Sequence, residues 1–374
     1  MMMARRAALV AMTLAVALLA VPQQFAASTA ALPSQLRDAE FWRLVDELSE
    51  PAGFFNSDNL VSNEDTFQHV IPELRAKVAP GGVYVGVGPD QNFTYIAAVQ
   101  PAVAFIPDLR RGNLHVHLLY KALFALSADR AEFLSRLFSR PKPANVSASA
   151  SARDVMAAFA TVTADPKVYD TNLRAVFEEV GRHRGKALEP DDRAGIEFVY
   201  NSFFAEGPDL AFVSQGGFRR SRYPSYAEIQ AQTDAKGVER SYLASEVLFQ
   251  RVKTMQARNL VVPIVGDFAG SRALRNIGKW VREQGGTVTT FYTSNVEQYL
   301  FRDGAWHTFR ANVETMPLDA TSTFIRSCFN TCSSPGGSRA VTLLDSMRGL
   351  IASAASGRIM TYWDVLTHST LPAP

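Results

Sequence analysis

The stretch VYVGVGPDQNFTYIAAVQPAVAFIPDLR, residues 83–110, decides the fold class. Residues 83–87 form a short apolar run that predicts a buried strand. Gly86 and Gly88 allow a sharp turn, a helix is expected over about 90–99, and 102–106 reads as a second strand. Asp108 follows Gly88 by 20 residues. A strand–turn–helix–strand unit of this kind gathers glycines, the free amides of a helix N-terminus and an acidic side chain around one point. That point suits a nucleoside. Glycine lets a ligand approach the backbone, and a carboxylate closing the next strand can accept both hydroxyls of a ribose.

The same alternation recurs downstream. Residues 260–265 read as a strand ending at Gly266-Asp267, 271–284 as a helix closed by Gly285-Gly286, and 287–292 as a further strand. Residues 209–214 are another candidate strand, with a helix expected over 237–258. Helices are also expected over 36–50, 66–78, 113–126 and 343–353, and a hairpin turn at Arg302-Asp303-Gly304. Short apolar strands alternating with helices predict an α/β fold: an open, doubly wound, mostly parallel sheet with helices on both faces. Such sheets bind ligands at the carboxyl ends of their strands. Ahead of the first strand lies the polar run Asn56, Ser57, Asp58, Asn59, Asn63 and Glu64. It reads either as a cover over the ligand or as a capped loop feeding a helix.

Arg5 and Arg6, an uncharged apolar run over 7–21 and small residues at 28–30 have the form of a secretory signal. Cleavage would leave the protein periplasmic or secreted. Left uncleaved, residues 7–21 would anchor it to a membrane. Removing Arg5 and Arg6 from 38 basic residues leaves 36 against 36 acidic ones. A formally neutral chain has no general pull toward phosphate backbones, so nucleic acid is not an expected partner and a small-molecule ligand is. Cys328 and Cys332, four residues apart, do not have the spacing of a CxxC redox pair. In an oxidising compartment they form a local disulfide if the segment is a loop and stay thiols otherwise. His115 and His117, two apart on a helix, face different ways, and no metal site is expected. Common hydrolase and phosphoryl-transfer motifs are missing.

VYVGVGPDQNF and VAFIPDLR together resemble the first two motifs of class I S-adenosylmethionine-dependent methyltransferases. GFFNSDNLVSNE, IPDLRRGNLHVHLLYKALF, VPIVGDFAG and FYTSNVEQYLF extend the resemblance, over most of residues 50–305, to a bacterial family of uncharacterised proteins with a methyltransferase-like fold. The resemblance implies a Rossmann-like sheet of the class I methyltransferase type, with helical additions, and S-adenosylmethionine as cofactor. The cofactor-site candidates are Gly86, Gly88, Asp90, Asn92, Asp108 and Arg110. Asp90 either caps the helix or forms an acidic rim that favours a sulfonium over a diphosphate. Asn56, Ser57, Asp58, Asn59, Arg219 and Tyr292 are the substrate-site candidates. Asp267 lies where that superfamily often places catalytic residues and is the candidate general base.

The sequence also departs from the pattern. Tyr84 stands where an acidic residue is usual, Asp90 replaces the third glycine, and no Pro-Pro-Tyr motif occurs at Asp267. Two functions are therefore expected side by side. One is an exported methyltransferase-like protein binding S-adenosylmethionine or a related nucleoside. The other is an exported non-catalytic binding or scaffold protein that keeps the fold. The expected organisation is a signal peptide (1–30), a helical segment with the polar loop (31–82) and an α/β domain (83–310) with a helical insertion near 141–205. A C-terminal extension (311–374) packs on the same domain.

Overall fold

The computed structural model describes residues 31–144, 146–213, 223–329, 332 and 339–371. The expected signal segment and Arg219 lie outside them. Helices α1 (Asp38–Leu48) and α2 (Ile71–Lys77) precede β1 (Val83–Gly86), which leads through α3 (Gln91–Val99) into β2 (Val103–Asp108). Seven helices follow among the described residues: α4 (Arg111–Leu126), α5 (Arg130–Phe138), α6 (Ala152–Ala160), α7 (Pro166–Arg184), α8 (Pro190–Glu206), α9 (Tyr226–Gln230) and α10 (Glu246–Ala257). The chain returns to the sheet in β3 (Val261–Val265), crosses through α11 (Ala273–Glu283) to β4 (Val288–Ser294), and continues through α12 (Val296–Arg302) and α13 (Trp306–Glu314). It ends with β5 (Thr323–Phe329), β6 (Ala340–Ser346), α14 (Met347–Ala355) and α15 (Tyr362–His368).

The six strands form one sheet in the order β3-β2-β1-β4-β5-β6. All neighbours run parallel except the last pair, β5 and β6. β1, β2 and β3 are buried along their whole length, as their unbroken apolar runs require of strands covered on both sides. Pro263 is tolerated because β3 is an edge strand. Register then sorts the side chains into rows. Phe105, Val85, Phe291 and Phe324 stand side by side across β2, β1, β4 and β5. Phe105 meets Trp280 of α11 edge-on at 5.1 Å, and Phe291 meets Phe309 of α13 at 6.1 Å. The adjacent positions point the other way. Tyr84 bonds Asn92 of α3, and Tyr292 packs on Tyr95 of α3 at 5.1 Å. Helices thus cover both faces.

Several expected elements differ. Residues 209–214 add no strand to the sheet. Gly207–Asp209 winds into a 3-10 turn, and Ala211 makes only an isolated antiparallel bridge to Ser225. The helix expected over 237–258 begins at Glu246, where the Ser245 hydroxyl caps the Leu248 amide. Arg302-Asp303-Gly304 joins α12 to α13, with Gly304 at φ 69°, and is not a hairpin. Residues 340–346 form β6 instead of the start of a helix, because seven residues pair with β5, and tertiary pairing outweighs local preference. β5 and β6 complete the sheet, so the α/β unit runs well past residue 310. Cys328, in β5, is disulfide-bonded to Cys332.

The turn after β1 is fixed by one amide. Asn92 Nδ2 donates to the carbonyl oxygens of Val87 (2.9 Å), Gly88 (3.1 Å) and Pro89 (2.7 Å), while its Oδ1 accepts from the Tyr84 hydroxyl at 2.8 Å. A Cβ on Gly86 would stand 2.1 Å from Asn92 Oδ1 and 2.6 Å from the Tyr84 hydroxyl, so glycine is required there by packing. Gly88 is at φ 81° and faces open space.

Asp90 turns away from this bend into the helical layer, where Gln230 Nε2 (2.8 Å) and the Tyr242 hydroxyl (3.2 Å) donate to Oδ2. Burial pushes its carboxyl up to about 7, against the hydrogen bonds from Tyr242, Tyr226 and Gln230. An unfolded chain loses this proton near pH 4. Between about pH 4 and 7 the folded state holds a proton the unfolded state has released, so the residue's contribution to stability falls as pH rises through that window and is flat above it. Asp90→Asn is therefore expected to raise the melting temperature relative to the parent more at pH 8 than at pH 4.5. Thermal denaturation followed by circular dichroism reads this, and an equal difference at both pH values contradicts it. Gly86→Ala is expected to cost about 1–3 kcal/mol in chemical denaturation, because Asn92 or the turn it holds must move.

Candidate functional site

A cavity of about 750 Å³ opens at the carboxyl ends of β1 to β4. The chain builds outward from β1 to β3 on one side and from β4 to β6 on the other, so the cavity sits at the reversal point where open α/β sheets bind ligands. Gly88 and Pro89 line it after β1, Asp108 and Arg110 after β2, Gly266 and Asp267 after β3, and Tyr292 and Ser294 at β4. Part of the 54–64 segment forms a further wall. This wall, drawn largely from the polar run, covers one side of the cavity.

Asp108 is held by its neighbour two residues on. Arg110 donates from its backbone N (2.9 Å) and Nε (3.0 Å) to Oδ1, and from Nη2 (2.8 Å) to Oδ2. Both side chains are buried. The remaining terminal nitrogen, Nη1, donates to the Asp58 carbonyl, which clamps the cover onto the end of β2. Three donors leave one of the carboxylate's roughly four acceptor directions open.

Asp267 is half-buried at the wall. Its Oδ1 accepts from the Ala269 amide at 2.8 Å, and its own amide donates to Glu50 Oε1 at 2.9 Å. Below Gly88, His117 Nε2 lies 2.9 Å from the Gly88 carbonyl. Burial lowers this imidazole to about 4, so it is neutral near pH 7 and carries its proton on Nε2 to donate there.

Across the cavity Glu64, only 1% exposed, accepts at Oε1 from the Tyr292 hydroxyl (2.7 Å) and Ser294 Oγ (2.5 Å), and at Oε2 from Gln91 Nε2 (2.7 Å). Burial and then the Glu64 charge push the Tyr292 phenol up, which keeps it a donor. Ser294 sits at φ 52°, a left-handed conformation that a non-glycine residue holds at a cost of about 1–3 kcal/mol. Aromatic rings complete the walls, with Phe55 edge-on to Tyr299 at 5.2 Å.

The candidates separate cleanly. Gly88, Asp108, Arg110 and Asp267 line the cavity, as do Asn56, Ser57, Asn59 and Tyr292. Asp58 contributes only its carbonyl, to Arg110, and its side chain is exposed. Gly86 and Asn92 are corrected from ligand contacts to the packing that shapes the turn. Asp90 is neither an acidic rim nor a helix cap, since its carboxylate is buried among Gln230 and Tyr242 and bonds no amide of α3. Glu64, a member of the polar run, and Ser294, at the end of β4, also line the cavity. Glu64 lay in a run already marked as polar, but no local pattern joins it to β4.

A second constellation lies in the C-terminal part. His368 Nδ1 is 2.8 Å from Asp345 Oδ1, and its Nε2 is 3.0 Å from Ser353 Oγ. This is the polar order of a hydrolase triad. Ser353, however, is buried within the body of α14 and also accepts from Arg358, and Asp345 is shared with the buried Arg326. The array ties α14 and α15 to β6. Among the described residues no group of three or more His, Cys, Asp or Glu side chains could hold a metal ion, and no helix is long and apolar enough to cross a membrane.

No curated protein matches the chain. Residues 59–340, which hold β1 to β5 and nearly all of the cavity, match the model of the family described as Domain of unknown function (DUF7790), and the protein belongs to that family.

Proposed function

We propose that the cavity binds S-adenosylmethionine or a related nucleoside and that the protein is an exported, methyltransferase-like protein acting on a small molecule. The observation that carries this reading is that Gly88, with open space before its α-carbon, and Asp108, with an acceptor direction to spare, line one cavity at the sheet's reversal point. The parallel strand order with a single antiparallel edge strand agrees with a sheet of the class I methyltransferase type. The Cys328–Cys332 disulfide agrees with an oxidising compartment.

The residues present fit such a ligand. Gly88 would lie against its backbone-facing edge, Asp108 would accept from a ribose hydroxyl, and the aromatic walls would cover its base. When bound, S-adenosylmethionine supplies an electrophilic methyl group. Asp267, a carboxylate in the wall, would take a proton from an acceptor, and the 54–64 cover would exclude water. A second reading, a non-catalytic binding protein, draws on Arg110, which already occupies most of the Asp108 carboxylate, and on Asn92, which fills the space before Gly86.

Calorimetric titration of the protein with S-adenosylmethionine is expected to give saturable heat. Asp108→Asn is expected to weaken binding by about tenfold or more, the cost of one hydrogen bond to a charged group. Melting temperatures of both proteins separate this loss from a displaced Arg110. No heat at millimolar ligand removes the nucleoside reading and leaves the binding protein.

A further inference from the structure

We infer that Glu64 is the seat for a positively charged group of the bound small molecule, a sulfonium or an ammonium. The inference rests on the nucleoside reading of the cavity and adds to it the charge of what lies over β4.

Burying an ionised carboxylate is costly unless a cation balances it. The protein follows this rule elsewhere. Buried Asp108 pairs with Arg110, Asp192 with Arg111, Asp234 with Arg240, and Glu297 and Asp345 with Arg326. Among the described residues two buried carboxyl groups lack such a partner, Asp90 and Glu64. They differ in surroundings. Asp90 is enclosed by protein and does not line the cavity. Glu64 does line it.

The contacts of Glu64 are all with neutral groups, an amide N–H and two hydroxyls. Neutral donors orient the carboxylate without cancelling its charge. Tyr292 and Tyr299 line the same cavity, and aromatic rings attract organic cations, as the Tyr299 ring does the Arg302 guanidinium at 5.0 Å. A single carboxylate with its oxygens already engaged is a poor metal seat, whereas an onium group needs only proximity and an electron-rich wall.

Three probes test this by titration: S-adenosylmethionine, S-adenosylhomocysteine, which lacks the sulfonium, and 5′-methylthioadenosine, which lacks both sulfonium and ammonium. The wild-type protein is expected to favour at least one cationic probe over methylthioadenosine by about tenfold or more, and Glu64→Gln to abolish that preference. The ratio between ligands on one protein is unaffected by an inactive fraction. Loss for S-adenosylmethionine alone assigns the sulfonium, and loss for both amino-acid-bearing probes assigns the ammonium. Either supports the inference. A wild-type protein that binds all three equally overturns it without any variant, as does Glu64→Gln with an unchanged ratio. If none of the three binds the wild type, the nucleoside reading fails and the inference falls with it.

Discussion

The site depends on the Asn92 side chain. Its amide group gathers three successive carbonyls after β1 and is oriented in turn by the Tyr84 hydroxyl. A helix N-terminus would ordinarily leave that turn to water or to a ligand. Here the protein satisfies it from within, and the bend divides into two unlike halves. Gly86 is packed against Asn92 and Tyr84, while Gly88 is turned outward with its carbonyl engaged by Asn92 and the neutral His117. The opening of the cavity therefore lies at the second glycine. Asp90, displaced from the rim by the same geometry, points into the helical layer and joins Gln230 and Tyr242.

The cover over the cavity is tied down as firmly as the turn. Arg110 holds the Asp58 carbonyl to the end of β2, Glu64 bonds both Tyr292 and Ser294 of β4, and the Asp65 carboxylate accepts from the Arg339 and Ala340 amides at the start of β6. Thr66 adds a hydroxyl that donates to the Ala340 carbonyl at 2.8 Å and accepts from the Thr342 amide at 3.0 Å. Segment 57–66 thus crosses the ends of three strands, using side chains where a sheet would use its backbone. Polar residues are dense there because each must bond a different strand end. A cover with this many buried polar bonds is a wall of the site rather than a loop passing over it.

Strand–turn–helix–strand logic made residues 83–110 legible in the sequence, and β3 and β4 followed from short apolar runs between helical patterns. Asp108 was legible because a strand end fixes where its side chain points. What escaped reading depended on distance in the chain. β6 looks helical until β5 pairs with it, and Glu64 meets Tyr292 across 228 residues. Asp90 escaped for a local reason. Its backbone is already in the helical region, at φ −66° and ψ −10°, so its side chain cannot swing back to cap α3 as an extended N-cap residue would.

The two carboxylates that line the cavity have unlike surroundings. Asp108 is paired with Arg110, so on the proposed reading its free acceptor direction would meet a neutral hydroxyl at little electrostatic cost. Glu64, surrounded by uncharged donors, keeps its field directed at whatever enters. At about 4 Å and an effective dielectric near 20, unit charges interact by about 4 kcal/mol, more than a helix N-terminus contributes. A diphosphate drawn toward α3 would meet that field with the wrong sign, whereas a cationic nucleoside would meet it with the right one. On the proposed reading, preference for a cationic nucleoside over a diphosphate would come from Glu64 rather than from the turn after β1.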